Sequence, residues 1–390
     1  MPDSPATLAP EAPRPPAALL TDLGLGADDG LVLRASEGAS RVVDQAARGL
    51  DADGACLVHF AGAPSDALLA RWREDCWPLL HAVALYRHDG RGLSRTTQSG
   101  KQRLGTDPAA EAAVWFVFRR ALHVLSPDAT REKFDANASG WNGEPGGPGY
   151  PHFRWMRRFV ARFAPTGKAR RIVDFGCGAG WVGIDAAGAR KDVHVAAFDP
   201  SPQMVRIASD NARAQGLSDF VGRVGFGEAP PFPAEGEERF DHVISSGVVS
   251  FSPDFEAWMR GLTSTCAAGG TLVVGDVNPS SRGIRARRAK RPLMVIRELN
   301  GRRSDEVRQW LEARGFRHRK TSGYQFTWPM PQLMYVNETK LKGLLSYPLV
   351  WTNAALTWLD GLFGNRFLDQ FDSWVMWFDV PADWSGPDPS

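Results

Sequence analysis

Residues Arg171 to Trp181 read R-I-V-D-F-G-C-G-A-G-W, and the rest of the chain is organised around this stretch. Ile172 and Val173 are strand formers, and Asp174 stands where that strand should end. Gly176, Gly178 and Gly180 then alternate through a turn, and a helix opens at Trp181. Alternating glycines let a backbone take positive φ and bring a ligand close to bare main chain. Amides at the start of the following helix favour anionic or polar groups. A dinucleotide fingerprint needs G-x-G-x-x-G, whose third glycine allows the helix to pack closely on the strand. Counted from Gly176, that place is held by the bulky Trp181. Asp174 would also repel a pyrophosphate, whereas it can accept hydrogen bonds from an ammonium.

Further signals follow in order. Val193–Phe198 reads as a second strand ended by Asp199, 19 residues beyond Gly180. Pro200 and Pro202 stop it, and Met204 begins a helix. Val221–Val224 reads as a short third strand, followed by Glu228 and Ala229. Phe240–Gly247 and Ala267–Asp276 supply two more strands. This succession resembles class I S-adenosylmethionine-dependent methyltransferases of the small-molecule type. Asp174 with the glycine turn resembles their first motif, and Phe240–Gly247 resembles their fourth.

The resemblance implies an α/β fold: a doubly wound, mostly parallel seven-stranded sheet that binds S-adenosyl-L-methionine. It implies that Asp174, Gly176, Cys177, Gly178 and Gly180 hold the methionine end of that cofactor, and that Asp199 with Pro200 meets the ribose. By the same resemblance Met204 packs the adenine, Glu228 with Ala229 reads its edge, and the run Ser245–Gly247 passes under the methyl. Many relatives carry a histidine in the stretch matching Val248–Asp254, where this chain has Ser250. The remaining candidates for a base are His242, His152, Tyr150 and Asp276. No carboxylate cluster calls for a metal.

Composition frames this reading. With 390 residues, 43% hydrophobic and 23% charged, the chain has the make-up of a globular protein large enough for two or three cores. A net charge of +2 gives no global argument for nucleic acid. The four cysteines form no C-x-x-C pair, which fits a reducing cytoplasm. The proline-rich start has no basic, apolar pattern of a signal peptide, and residues 1–20 read as a disordered tail.

Residues 21–125 read as an accessory α/β domain without a recognisable constellation. Ala55–Phe60 and His81–Tyr86 suggest strands, and Pro64-Ser-Asp opens a helix. Arg87–Gly105 reads as polar loop, and Ala109–Leu125 as an amphipathic helix with Val114, Phe118 and Leu122 at four-residue spacing. Ser126-Pro-Asp marks the boundary of a methyltransferase domain at 126–336. Within it, Lys133–Trp141 resembles a helix that closes over the cofactor, Gly143–Tyr150 reads as a hinge, and His152–Phe163 as a helix. A basic run spans Arg282–Arg291, where a solvated surface competes with contacts to an anionic acceptor. His318–Phe326 and Gln332–Val336 are expected to pair as a closing antiparallel hairpin.

The last stretch, 337–390, is rich in aromatics, including Trp351, Trp358, Trp374 and Trp377. Seventeen uncharged residues, Gly343–Leu359, fall short of a membrane span. A helical aromatic cover over the acceptor is expected, with peripheral membrane contact as the less favoured reading. The function that follows is methyl transfer to a small apolar or aromatic metabolite, by a cytoplasmic monomer or homodimer. A silent cofactor-binding scaffold and an RNA- or protein-directed enzyme are the alternatives.

Overall fold

The computed structural model describes residues 14–26, 30–50, 54–76, 80–89, 91–97, 100–105, 112–120, 131, 134–135, 138, 150–252, 254–285, 301–326 and 341–387. Two compact units emerge, one within Met1–His123 and one formed by Val124–Ala286 with Arg297–Ser390.

The first unit is a six-stranded sheet with helices. Its elements are α1 (Ala17–Leu23), β1 (Gly30–Arg34), α2 (Ala39–Gly49), β2 (Ala55–Ala61), α3 (Asp66–Cys76), β3 (Leu80–His88), β4 (Leu93–Thr97), β5 (Gly100–Gly105) and β6 (Ala113–Arg120). The strand order is β1-β2-β6-β3-β4-β5, with β1 and β2 parallel and the other neighbours antiparallel. Two expectations are corrected here. The stretch expected to be a helix at Ala109–Leu125 contains β6, a central strand. Its run Val114-Trp-Phe-Val-Phe118 is buried throughout, as a strand covered on both faces requires. The stretch expected to be loop at Arg87–Gly105 carries the end of β3 and the hairpin β4–β5, whose polar residues suit the open edge of the sheet.

The second unit holds α4 (Tyr150–Ala161), β7 (Arg171–Phe175), α5 (Trp181–Ala187), β8 (His194–Asp199), α6 (Pro202–Ala214), β9 (Phe220–Val224) and β10 (Phe240–Ser246). After these come α7 (Phe255–Ser264), β11 (Cys266–Val277), α8 (Ser304–Glu312), β12 (Arg317–Phe326), α9 (Ser346–Leu362) and β13 (Phe371–Asp379). The seven strands are ordered β12-β13-β11-β10-β7-β8-β9. From β11 to β9 all pairs are parallel, and β13 runs antiparallel to both its neighbours.

Side-chain alternation makes the sheet doubly wound. Val173 and Phe175 of β7 join a core with α7 and α8, whereas Ile172 joins another with α4 and α5. Serine at position 201 caps α6 by accepting the Met204 N–H, with Pro202 at the first turn.

The tail departs from expectation. β12 forms as expected, but its antiparallel partner is β13, and Gln332–Val336 lies outside the described residues. Trp374, Val375, Met376 and Phe378 of β13 are fully buried. Much of the aromatic content assigned to a cover therefore completes the sheet. No described helix is long and apolar enough to cross a membrane. The boundary at Ser126, the hinge preceding Tyr150 and the basic run after Arg285 lie outside the described residues, as does most of the expected covering helix.

Candidate functional site

At the end of β7 the chain makes its glycine turn, with φ of +75°, +49° and +79° at Gly176, Gly178 and Gly180. The three glycines serve different ends. A Cβ at Gly176 would lie 2.7 Å from Val248 Cγ1, and one at Gly180 would lie 2.8 Å from the Ala208 Cβ on α6. At Gly178 a Cβ would meet nothing within 4 Å, so that peptide borders open space. The first and third glycines let elements pack; the middle one leaves room.

The turn is tied to the neighbouring strand. Cys177 N–H donates to the Phe198 carbonyl at 2.8 Å, and Gly178 N–H donates to Asp199 Oδ2 at 3.0 Å. The other Asp199 oxygen accepts the Ser201 N–H at 3.0 Å. Asp135, in the expected covering helix, accepts from Ser201 Oγ and from the Gln203 N–H. One carboxylate thus fixes the glycine turn against α6, and a second fastens a residue of the covering segment there.

These groups border a cavity of about 600 Å³. Asp174, Gly176, Gly178, Asp199, Met204 and Glu228 line it, together with Cys177, Pro200 and Ala229. Phe134, Phe153, Met156, Phe251, Tyr324 and Gln325 line it as well, and so does Arg157, whose charge opposes the rise of the Asp174 pKa. Two expected contacts are not on this wall. Gly180 packs beneath it on Ala208, and Ser245 is buried in β10 with its hydroxyl making no hydrogen bond among the described residues. Of the expected run Ser245–Gly247, Ser246 and Gly247 do reach the cavity.

Burial sets the electrostatics. It raises the Asp174 carboxyl to about 7, against the Gly183 N–H that it accepts at 2.7 Å and with repulsion from Asp199 added. Burial likewise raises Asp199 to about 6, opposed by its hydrogen bonds from Ser201 and Gly178. Two carboxylates on one cavity wall that resist ionisation favour a ligand bringing positive charge. Cys177 is pushed up by burial and by both carboxylates, which keeps it a thiol rather than a nucleophile.

The candidate bases fare differently. His242 is fully buried in β10, away from the cavity wall, and its ring nitrogens make no hydrogen bond among the described residues. His152 is buried on α4 and is also absent from the wall. Burial lowers both imidazoles to about 4, so they are neutral near pH 7. The Tyr150 side chain lies outside the described residues. Asp276 does reach the cavity, but its oxygens accept from Ser250 N–H, Ser250 Oγ and Val277 N–H. Its evident work is to hold the 3₁₀ turn Val249–Phe251 against the strand end.

Sequence reasoning missed Tyr324, Gln325 and Ser373, brought to the cavity by β12 and β13. Gln325 has φ +63°, donates to Met156 Sδ at 3.0 Å and accepts from Ser373 Oγ. A non-glycine residue there is strained, and such strain clusters at functional sites. No local motif announces it. The expected aromatic cover is corrected as well: no described residue of α9 lines the cavity, and the tail's contribution is Ser373.

One family model matches the part of the chain that holds most of this site. The family model described as "Methyltransferase domain" matches residues 151–321. Ajmaline N-methyltransferase of Rauvolfia serpentina is 30% identical over 127 residues, covering 31% of this chain and 42% of that protein. A ubiquinone biosynthesis O-methyltransferase of Rhizobium etli is 33% identical over 108 residues, covering 28% and 41%. The chain thus spans about two fifths of the length of these curated relatives. Among solved structures, phosphoethanolamine N-methyltransferase 2 of Haemonchus contortus, in complex with S-adenosyl-L-methionine, is 14% identical with a TM-score of 0.44. That match covers 90% of this chain and 85% of the other.

Proposed function

Residues 151–321 belong to the class I S-adenosylmethionine-dependent methyltransferase family, and on that premise we propose that the chain methylates a small, largely apolar or aromatic metabolite. The observation that carries the reading is a single cavity with two characters. Its wall carries buried carboxylates and bare glycine amides, and it also carries the aromatic and apolar side chains Phe134, Phe153, Met156, Phe251 and Tyr324.

The fit to the cofactor rests on the chain's own groups. Asp174 would take the ammonium end, Asp199 the ribose hydroxyls, and Gly178 leaves the main chain open to close approach. Met204 would pack the adenine, with Glu228 and Ala229 at its edge. Glu228 already accepts from Ser252 Oγ, which fixes its carboxylate. When bound, S-adenosylmethionine supplies an activated methyl group on a sulfonium.

What remains for the protein is alignment. Phe134, Phe153, Met156, Phe251 and Tyr324 form a wall that excludes water and accepts a flat or apolar molecule. Gln325 and Ser373 give that wall a polar pair to orient an acceptor hydroxyl or amine. With His242 and His152 off the wall, positioning carries the rate, and it can supply several kcal/mol. In the same reading residues 21–125 are an accessory module, and the enzyme works in the cytoplasm as a monomer or homodimer.

Calorimetry tests the reading. The protein should bind S-adenosylmethionine and S-adenosylhomocysteine, and Asp199→Ala should weaken both at least about tenfold through lost hydrogen bonds to a charged group. Absence of binding by the parent protein, or a preference for a nicotinamide dinucleotide, would overturn it.

A further inference from the structure

Helix α9 is built inside out. Its inward face carries Ser346, Asn353, Thr357 and Asp360, with Asn353 only 2% exposed and Asp360 3%. Its outward face carries Tyr347, Trp351, Trp358 and Leu362, each 63–68% exposed, and Leu344 just ahead of the helix is 77% exposed. An ordinary surface helix has the opposite arrangement.

The polar face is put to use. Asn353 accepts the Phe326 N–H at the end of β12 and donates to the Leu349 carbonyl, and Asp360 accepts the Phe367 N–H at 2.8 Å. Asn353 therefore ties the helix to the end of β12 and Asp360 holds the turn after the helix, while Thr357 Oγ1 and Asp360 Oδ2 are buried without a hydrogen bond among the described residues. Phe363 and Phe367 extend the same exposed aromatic character beyond the helix end.

A groove beside this face supplies charge. It is lined by Arg154, Arg158, Arg162 and Lys320, with Tyr347 and Val350 contributed by α9. Of the four cations, Arg154 is hydrogen-bonded to Asp185 and Arg158 lies 3.7 Å from it, so one carboxylate faces four positive groups. Among the described residues no acidic side chain lines the groove. Lys342 precedes α9 and Arg366 follows it, both exposed, while the acidic residue within the helix, Asp360, points inward.

We propose that α9 and its basic flank dock on an anionic lipid surface. Tryptophan and tyrosine rings sit at headgroup level with their polar atoms toward water, and a basic flank adds attraction to anionic lipid. A second copy of the chain fits less well. A two-fold pairing through α9 would set identical flanks beside each other, in which Arg162, Lys320, Lys342 and Arg366 outnumber the exposed Asp369. This inference stands apart from the methyl-transfer reading, since none of these residues borders the cavity.

Sedimentation of the full chain with vesicles tests it. Vesicles of phosphatidylcholine with about one third phosphatidylglycerol should bind the protein, with binding weakened by salt. Phosphatidylcholine alone should bind it far less. Trp351→Ser with Trp358→Ser should abolish binding, and Arg162→Gln with Lys320→Gln should lower it about tenfold or more. All four side chains are exposed, so unchanged thermal unfolding would confirm that the variants fold. No binding to the anionic vesicles, or equal binding to both kinds, would overturn the assignment. So would a dimer in sedimentation velocity that the tryptophan variant dissociates, because the face would then belong to a second copy.

Discussion

Asp174 Oδ2 accepts the Gly183 N–H at 2.7 Å, so the carboxylate that ends β7 is bound to the first turn of the helix beyond the glycine turn. A Cβ at Gly183 would stand 2.9 Å from the Asp174 Cβ. The pair fixes where the carboxylate faces, and burial then decides its protonation.

The first consequence concerns pH. Asp174 and Asp199 rise from 3.8 to about 7 and about 6 in the fold, so the folded chain holds these protons more tightly than the unfolded chain. Their stabilisation of the ligand-free protein is full below 3.8 and is lost as pH rises to about 7. Melting of the ligand-free protein across this window should show that slope, and Asp174→Asn should flatten it. A cationic ligand prefers the ionised carboxylates, so its affinity should fall as pH drops below about 7. Calorimetry in buffers of different ionisation enthalpy should detect protons released on binding.

The glycines offer a paired comparison. Gly176→Ala places a Cβ 2.7 Å from Val248 at φ +75°, and should cost about 1–3 kcal/mol of stability. Gly178→Ala meets no protein atom and should cost about 1 kcal/mol through its positive φ alone. Its main effect should be weaker cofactor binding. Denaturant melts and calorimetry on the two variants separate packing from ligand access.

Asp276 is expected to act by positioning. Asp276→Ala leaves the buried Ser250 N–H and Val277 N–H without their acceptor, at about 1–3 kcal/mol each. With the 3₁₀ turn loosened, kcat should fall more than cofactor affinity. Ser250→Ala keeps both N–H bonds and removes only the hydroxyl's bond to Asp276, so it should show a smaller fall. Steady-state kinetics beside cofactor titrations would distinguish this from a general-base role, which Ser250→Ala would leave untouched.

Trp374 tests what the tail is for. It is fully buried in β13, and its Nε1 donates to the Arg302 carbonyl at 3.0 Å. Trp374→Ala should cost about 3–5 kcal/mol, and deletion from Phe371 onward should leave the second unit unfolded. Circular dichroism and thermal unfolding would read both. A chain that keeps its melting transition after the deletion would contradict the placement of β13 inside the sheet.

Much of the second unit was legible because its signals are local. A strand, a carboxylate and three glycines sit within eleven residues, and each forces a backbone event that no distant contact has to decide. Ser245 was misassigned because the face of β10 that meets the cavity depends on the register with β7 and β11, which the sequence of one strand does not reveal. Tyr324 and Gln325 reach the cavity because β13, about fifty residues later, pairs with β12. In the first unit, Val114, Phe118 and Leu122 fit a helical spacing, but the rings between them, Trp115 and Phe116, are buried too. A continuous apolar run suits a central strand, and its four-residue period was incidental. β4 and β5 escaped notice because the exposed run of β5 carries Lys101, Gln102 and Arg103, and Arg95 of β4 is ion-paired to the distant Asp22, so the stretch reads as polar loop.

The place of β13 also bears on the order in which the protein can assemble as it is made. The strands of the first unit all lie within residues 30–120, so their pairing can begin while synthesis continues. The gap between β11 and β12 is filled by Phe371–Asp379. Until those residues clear the ribosome, both flanking strands have an unpaired edge. The catalytic sheet is therefore completed after translation has passed residue 379, and a nascent chain stalled short of that point exposes two edges to other chains.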